Sequence, residues 1–127
     1  MAIMFGKEAF NAGLKEQGYE TEDGGGNLTI FKYVIGAGRF NGQTIKVGID
    51  IPPDFNVTCP TGPHISPRLI PINTGALGND RAAESPAFGP EWQYLSRPFV
   101  DQQEGWGRTT RDVKAYLRHI KRILETL

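Results

Sequence analysis

The sequence predicts an α+β fold: an antiparallel meander of three to four strands packed by an N-terminal and a C-terminal helix. Two β-rich segments lie in the first half of the chain, a helical pattern ends it, and all nine prolines fall between Pro52 and Pro98. Proline fixes φ and has no N–H to donate, so the stretch between these ends is predicted to be a long crossing. Apolar anchors such as Phe55, Leu69 and Phe99 predict that this crossing is ordered.

The N-terminal helix is predicted from about residue 3 to residue 17. Phe10 and Leu14 stand four residues apart and define its apolar face. Gly18 is the expected stop. The acidic, glycine-rich residues 20–26 that follow are predicted to form a flexible connection.

Two strands are predicted next, over residues 27–35 and 44–51. The first is β-branched and aromatic almost throughout, and Asn41-Gly42 is a turn signal between the two. The second strand alternates, with its apolar positions on one face at Ile45, Val47, Ile49 and Ile51. An antiparallel pair follows from this pattern.

The proline-rich middle is predicted to hold little regular structure. Leu69 to Ile72 forms at most a short edge strand, because Pro71 lies inside it. Residues 75–89 are small and polar and are expected to be a mobile loop, and residues 91–95 are compact and aromatic.

The C-terminal helix is predicted from a capping-box-like pair, Thr109 and Asp112, followed by an apolar face. That face consists of Val113, Tyr116, Leu117, Ile120, Leu124 and Leu127. The opposite face is basic, with Arg111, Lys114, Arg118, Lys121 and Arg122. A solvated surface is the preferred interpretation of this face, and a docking surface for an acidic partner is the alternative.

Bulk composition narrows the class of protein. The 127 residues suit a single domain, residues 1–127, and equal counts of 14 basic and 14 acidic residues argue against a nucleic-acid partner. The N-terminus lacks the pattern of a signal peptide, and no apolar run approaches the ~18 residues of a membrane span, so a cytoplasmic protein with no membrane partner is expected. One cysteine and two distant histidines match no metal spacing, and no cofactor fingerprint is present.

Residues 42–55 contain a strand-like segment that ends in proline and is followed by an aromatic residue, and Pro63-His64-Ile65 follows shortly after. Together with the order of elements, these local sequences resemble the ubiquitin-conjugating-enzyme (UBC-like) superfamily, in which such a strand leads to a His-Pro-Asn element. Trp106 resembles the tryptophan that precedes the family's next helix. Residues 92–97, Trp-Gln-Tyr-Leu-Ser-Arg, resemble a stretch of divergent bacterial members.

The chain departs from that family at the catalytic position. The family's cysteine lies shortly before the tryptophan, whereas Cys59 lies 47 residues before Trp106. Ser96, ten residues before Trp106, is nearest to the catalytic position. The family's oxyanion-stabilising asparagine has no counterpart here. Cys59 has no basic neighbour in sequence, so a small, partly buried hydrophobe is the preferred interpretation over a reactive thiol.

The resemblance implies candidate site residues. Ser96 would accept a modifier as an oxyester, and Arg97 would orient its C-terminus; the alternative is that both satisfy backbone groups at a strand end. His64 is expected in the crossing loop, as a general base, a phosphate contact or a partner of the backbone. Trp92 and Tyr94 line a substrate groove or serve as core anchors.

Two functions follow from the resemblance. The first is a bacterial component of a ubiquitin-like modifier pathway, working with an adenylating activating enzyme and a modifier, as in conjugation or antiphage-defence operons. The second is a catalytically inactive UBC/RWD-like binding scaffold, favoured by the missing cysteine. A small hydrolase that uses Ser96 and His64 is a third class, but no nucleophile-elbow sequence supports it.

Overall fold

A computed structural model describes residues 5–55, 57, 58, 60, 62–69, 82–85, 87–95 and 112–126. Its elements, in chain order, are α1 (Gly6–Glu16), β1 (Thr21–Gly25), β2 (Leu28–Val34), β3 (Thr44–Asp50), β4 (His64–Ser66), β5 (Ala82–Ser85), β6 (Gly89–Leu95) and α2 (Val113–Glu125). The predicted α+β class is confirmed, with one helix near each end of the chain. No helix in these ranges is both long and apolar enough to cross a bilayer.

The strands form one antiparallel sheet in the order β1-β2-β3-β4-β6-β5. The predicted pair is its centre, and β2 and β3 are in register from Leu28 opposite Asp50 to Val34 opposite Thr44. The sheet has six strands because short segments add to both sides of this meander.

The prediction of a flexible connection at residues 20–26 is wrong, because most of these residues form strand β1. Gly25 and Gly26 have φ of 89° and 51°, which lets the chain reverse tightly and pair with β2. Asp23 accepts a hydrogen bond from the Gly25 N–H and contacts Lys7 of α1. Local glycines thus close a hairpin here.

The proline-rich middle also contains more strand than predicted. His64 was expected in a loop but begins β4, which pairs with β3 and β6. Residues 82–85, inside the expected mobile loop, form β5 because β6 offers them an edge to pair with. Leu69 has no strand structure, and the rest of the predicted edge strand, residues 70–72, lies outside the described residues.

The core lies between the two helices and one face of the sheet. The alternation predicted for β3 is confirmed, since Ile45, Val47, Ile49 and the following Ile51 are all buried. Phe10 of α1 packs edge-on against the rings of Phe55 and Tyr116, with centroids 5.1 and 5.9 Å away. The crossing therefore contributes to the same core as both helices. We call the opposite sheet face the outer face.

Asp112 is the N-cap of helix α2, and its Oδ1 accepts a hydrogen bond of 2.9 Å from the Ala115 N–H. The expected cap at Thr109 lies outside the described residues; Asp112, the expected partner in that box, is itself the N-cap. The predicted apolar face is confirmed for the described positions, with Val113, Tyr116, Ile120 and Leu124 buried and Leu117 half-buried.

Candidate functional site

Three of the predicted site residues lie on two adjacent strands. His64 of β4 is the register partner of Tyr94 of β6, and Trp92 lies two residues before Tyr94 on the same strand. The Leu95 N–H donates to the Pro63 carbonyl at 2.9 Å, which fixes the end of β6 beside the start of β4. The strand pairing therefore gathers residues that are about 30 positions apart in sequence.

Ser96 and Arg97 follow directly after β6 in the sequence, but they lie outside the described residues. The same holds for Cys59 and Trp106. Their assigned roles stay predictions. The described part of the site is consequently the platform formed by β4, β6 and the β5–β6 turn.

His64 is buried on the outer face, with 7% of its surface exposed. Its ring is covered by Phe88 and Tyr94, each with its ring centroid 4.7 Å away. Burial lowers the pKa of His64 to about 4, because the charged imidazolium would lose its hydration there. The imidazole is therefore neutral near pH 7 and a weak base.

Ser85, the last residue of β5, is the polar partner of this histidine. Its Oγ lies 2.7 Å from His64 Nδ1 and also accepts a hydrogen bond of 3.3 Å from the Phe88 N–H. A hydroxyl has one proton to donate. If the hydroxyl donates this proton to Nδ1, the neutral ring carries its own proton on Nε2.

Phe88 is positioned by a glycine of the neighbouring strand. A Cβ on Gly48 would lie 2.6 Å from Phe88 Cε1, so the ring occupies space that any other residue would fill. Gly48 is the register partner of His64. Phe88 also stacks on Trp92, with ring centroids 4.8 Å apart. The four rings of His64, Phe88, Trp92 and Tyr94 form an aromatic layer on the outer face.

The structure places Trp92 and Tyr94 as half-buried members of this aromatic layer, with part of each side chain open to solvent. Their role in binding a substrate stays a prediction. Sequence reasoning missed Ser85, Phe88 and Gly48. Phe88-Gly89 before an aromatic strand was a usable hairpin signal, since Gly89 has φ of 117° and pairs with Ser85.

The residues of the aromatic layer can form hydrogen bonds and apolar contacts. Among the described residues, no group of three His, Cys, Asp or Glu side chains is placed to hold a metal ion. A neutral, hydrogen-bonded histidine holds its neighbours in place without titrating near pH 7. The arrangement thus holds β4, β6 and the β5–β6 turn together.

Comparison with known proteins supplies the family. The chain matches the family model Prok-E2_E, described as prokaryotic E2 family E, over residues 11–127. No curated protein and no solved structure matches it. The match spans nearly the whole chain, and the helix–sheet–helix order agrees with the UBC-like fold inferred from the sequence. The chain therefore belongs to prokaryotic E2 family E, as a bacterial E2-like component of ubiquitin-like conjugation.

Proposed function

We propose that this protein receives the C-terminus of a ubiquitin-like modifier from an adenylating activating enzyme and carries it on Ser96 as an oxyester. E2-like proteins in general interact with a modifier and its activating enzyme. The observation that supports this role is the hydrogen bond from the Leu95 N–H to the Pro63 carbonyl, which fixes the residue before Ser96 in sequence beside the start of β4. A site on a rigid strand end keeps a reacting group in place.

The proposed step is a transesterification. Ser96 Oγ attacks the thioester carbonyl carbon at the modifier's C-terminus, an Oγ–C bond forms, and the bond to the sulfur of the activating enzyme breaks. The hydroxyl proton passes by way of solvent to the departing thiolate. A serine ester is less reactive toward thiols than a thioester, because an alkoxide is a poorer leaving group than a thiolate.

Other residues of the site have supporting roles in this proposal. Arg97 pairs with polar groups of the modifier's C-terminal tail. Trp92 and Tyr94 offer half-exposed rings for its apolar part. His64 is too weak a base at pH 7 to take the hydroxyl proton efficiently, so we assign it to holding β4 and β6 in place.

The test is an adduct assay with a candidate activating enzyme, a candidate ubiquitin-like modifier and ATP. We expect a covalent adduct that survives thiols and is cleaved by mild base. Ser96→Ala should abolish it, and Ser96→Cys should convert it to a thiol-sensitive adduct. Ser66→Ala and Cys59→Ser serve as matched controls and should leave the adduct unchanged. An adduct that persists in Ser96→Ala would overturn the assignment.

A non-covalent scaffold is the second candidate, and the position of Cys59 favours it. This cysteine precedes Trp106 by 47 residues, so the family's thioester site is not reproduced. A scaffold would bind the modifier without ATP and form no adduct. If calorimetry detects binding of the modifier alone and the assay with activating enzyme and ATP yields no covalent adduct, the scaffold alternative is supported.

A further inference from the structure

The exposed side of α2 carries charges of almost a single sign. Lys114, Arg118, Lys121 and Arg122 are all exposed, whereas the apolar residues of the helix are turned into the core. Because Lys114, Arg118 and Arg122 follow at four-residue spacing, they lie on one side of the helix, about 6 Å apart along its axis. We call these four residues the basic stripe. Arg111, the fifth member of the basic face expected from the sequence, lies outside the described residues.

The acidic groups near the basic stripe leave it positively charged. Lys121 Nζ lies 3.4 Å from Oε1 of Glu125, the one acidic residue of α2, and the glutamate side chain is only 19% exposed. The neighbouring helix α1 carries two basic and two acidic residues and adds no net charge. Across the ranges that the structure describes, the side chains of Lys114, Arg118 and Arg122 form no ion pair.

This charge pattern is unfavourable for the helix on its own. Like charges at positions i and i+4 repel, which applies to Lys114 with Arg118 and to Arg118 with Arg122. The helix macrodipole favours cations in the last turn, where Arg122 lies, but disfavours Lys114 in the first turn, which holds no acidic residue. Carboxylates of a partner placed between the cations would relieve the repulsion.

Two other kinds of anionic partner fit the basic stripe less well. Helices that bind a bilayer surface insert apolar side chains beside their cations. The exposed large hydrophobic residues in the described ranges are Phe5, Val34 and Val57, and none of them is on α2. A nucleic acid is bound mainly through its phosphates, and four cations in a chain with no net charge supply few such contacts. A protein that offers carboxylates is the remaining partner.

We propose that the basic stripe docks an acidic helical segment of a partner protein. Glutamates four residues apart on such a helix repeat at the same interval of about 6 Å as Lys114, Arg118 and Arg122. Carboxylates also accept charge-assisted hydrogen bonds from guanidinium groups. Because α2 packs on the sheet face opposite the aromatic layer, a partner on the stripe leaves that layer uncovered. The docking surface does not depend on an ester at Ser96.

The test is an NMR titration of the full chain with an alanine-based helical peptide that carries glutamate at every fourth position. The matched control peptide has glutamine at those positions. We expect saturable shifts at the basic stripe with the glutamate peptide, weakening as sodium chloride is added, and none with the glutamine peptide. Arg118→Gln/Arg122→Gln should bind roughly fivefold more weakly, since exposed ion pairs are individually weak. Lys15→Gln/Lys32→Gln removes the same charge from α1 and β2 and should bind as the wild type does.

Several results would contradict this docking surface. No binding of the glutamate peptide, equal binding of the two peptides, or undiminished binding by Arg118→Gln/Arg122→Gln would overturn it. Tighter binding of a DNA duplex or of phosphatidylserine vesicles than of the peptide, at physiological ionic strength, would assign the stripe to another class of partner. Preserved spectral dispersion of each variant shows that it is folded.

Discussion

Gly48 of β3 and Phe88 of the β5–β6 turn are in contact because the glycine has no side chain. A Cβ there would lie 2.6 Å from both Cε1 and Cζ of the ring. The ring lies in this space and covers His64, the strand neighbour of Gly48. His64 is therefore buried, and a weak base, because Gly48 on the neighbouring strand has no Cβ and leaves room for the Phe88 ring.

Gly48→Ala is expected to displace the Phe88 ring and expose the imidazole. The pKa of His64 should then rise from about 4 toward its ordinary value of 6.5, because the imidazolium regains hydration. Overpacking of this kind also costs about 1–3 kcal/mol of unfolding free energy. An NMR titration of the His64 ring protons and a denaturant unfolding curve measure the two effects.

Gly36→Ala is the matched control for this substitution. A Cβ at Gly36 would meet Glu125 Oε2 at 3.6 Å, an ordinary contact, so neither the titration nor the stability should change much. An unchanged His64 pKa in Gly48→Ala would show that Phe88 does not control the burial of the histidine.

Much of the fold was predictable because it depends on local pattern. Alternation at Ile45, Val47 and Ile49 and the apolar face of α2 specify which side of each element is buried. Strand β1 was missed because Thr21–Gly25 has weak strand propensity and depends on pairing with β2 for its structure. Strand pairing is a tertiary effect that a local window does not contain.

The site was predictable only in part, for the same reason. His64, Trp92 and Tyr94 are aromatic or titratable and attract notice in the sequence. Ser85 acquires meaning only when β5 pairs with β6 and sets its hydroxyl 2.7 Å from His64 Nδ1. The alternation of β3 correctly assigns Gly48 to the outer face of the sheet. Nothing in the sequence shows that the Phe88 ring covers this glycine.

Acid should destabilise the protein through His64. Its pKa is about 4 in the folded chain against 6.5 unfolded, so between these values the unfolded chain binds the extra proton. The free energy of unfolding therefore falls as pH decreases from about 6.5 to 4. Below pH 4, His64 contributes no further pH dependence. After allowance for residual hydration, the loss is about 2 kcal/mol. Urea unfolding at a series of pH values measures it.

The second histidine provides the comparison for this pH dependence. His119→Gln should retain the loss of stability between pH 6.5 and 4, whereas His64→Gln should flatten it and lower stability at pH 7. An identical slope in wild type and His64→Gln would assign the acid sensitivity to other groups.

Substitutions at Gly13 of α1 and Val113 of α2 should be strongly coupled in their effects on the free energy of unfolding. A Cβ on Gly13 would lie 2.4 Å from Val113 Cγ2. Gly13→Ala should therefore destabilise the protein by about 1–2 kcal/mol, since overpacking exceeds the roughly 1 kcal/mol gained in helix propensity. The Val113 Cβ would also lie only 2.7 Å away, so the matching background is Val113→Gly, in which the same change should be neutral or stabilising. Chemical unfolding of the four proteins gives the coupling energy, and additive effects would contradict a close contact.

Ser85 should determine the protonation pattern of His64. If the hydroxyl donates to Nδ1 while accepting from the Phe88 N–H, the ring proton lies on Nε2, and long-range ¹H–¹⁵N spectra at pH 7 should show that tautomer. Ser85→Ala removes the donor and leaves buried groups unsatisfied, so unfolding free energy should fall by about 1–3 kcal/mol. Ser66→Ala, on the half-exposed end of β4, should change neither property. A proton on Nδ1 in the wild type would reverse the hydrogen bond and with it the assignment of Ser85 as the donor.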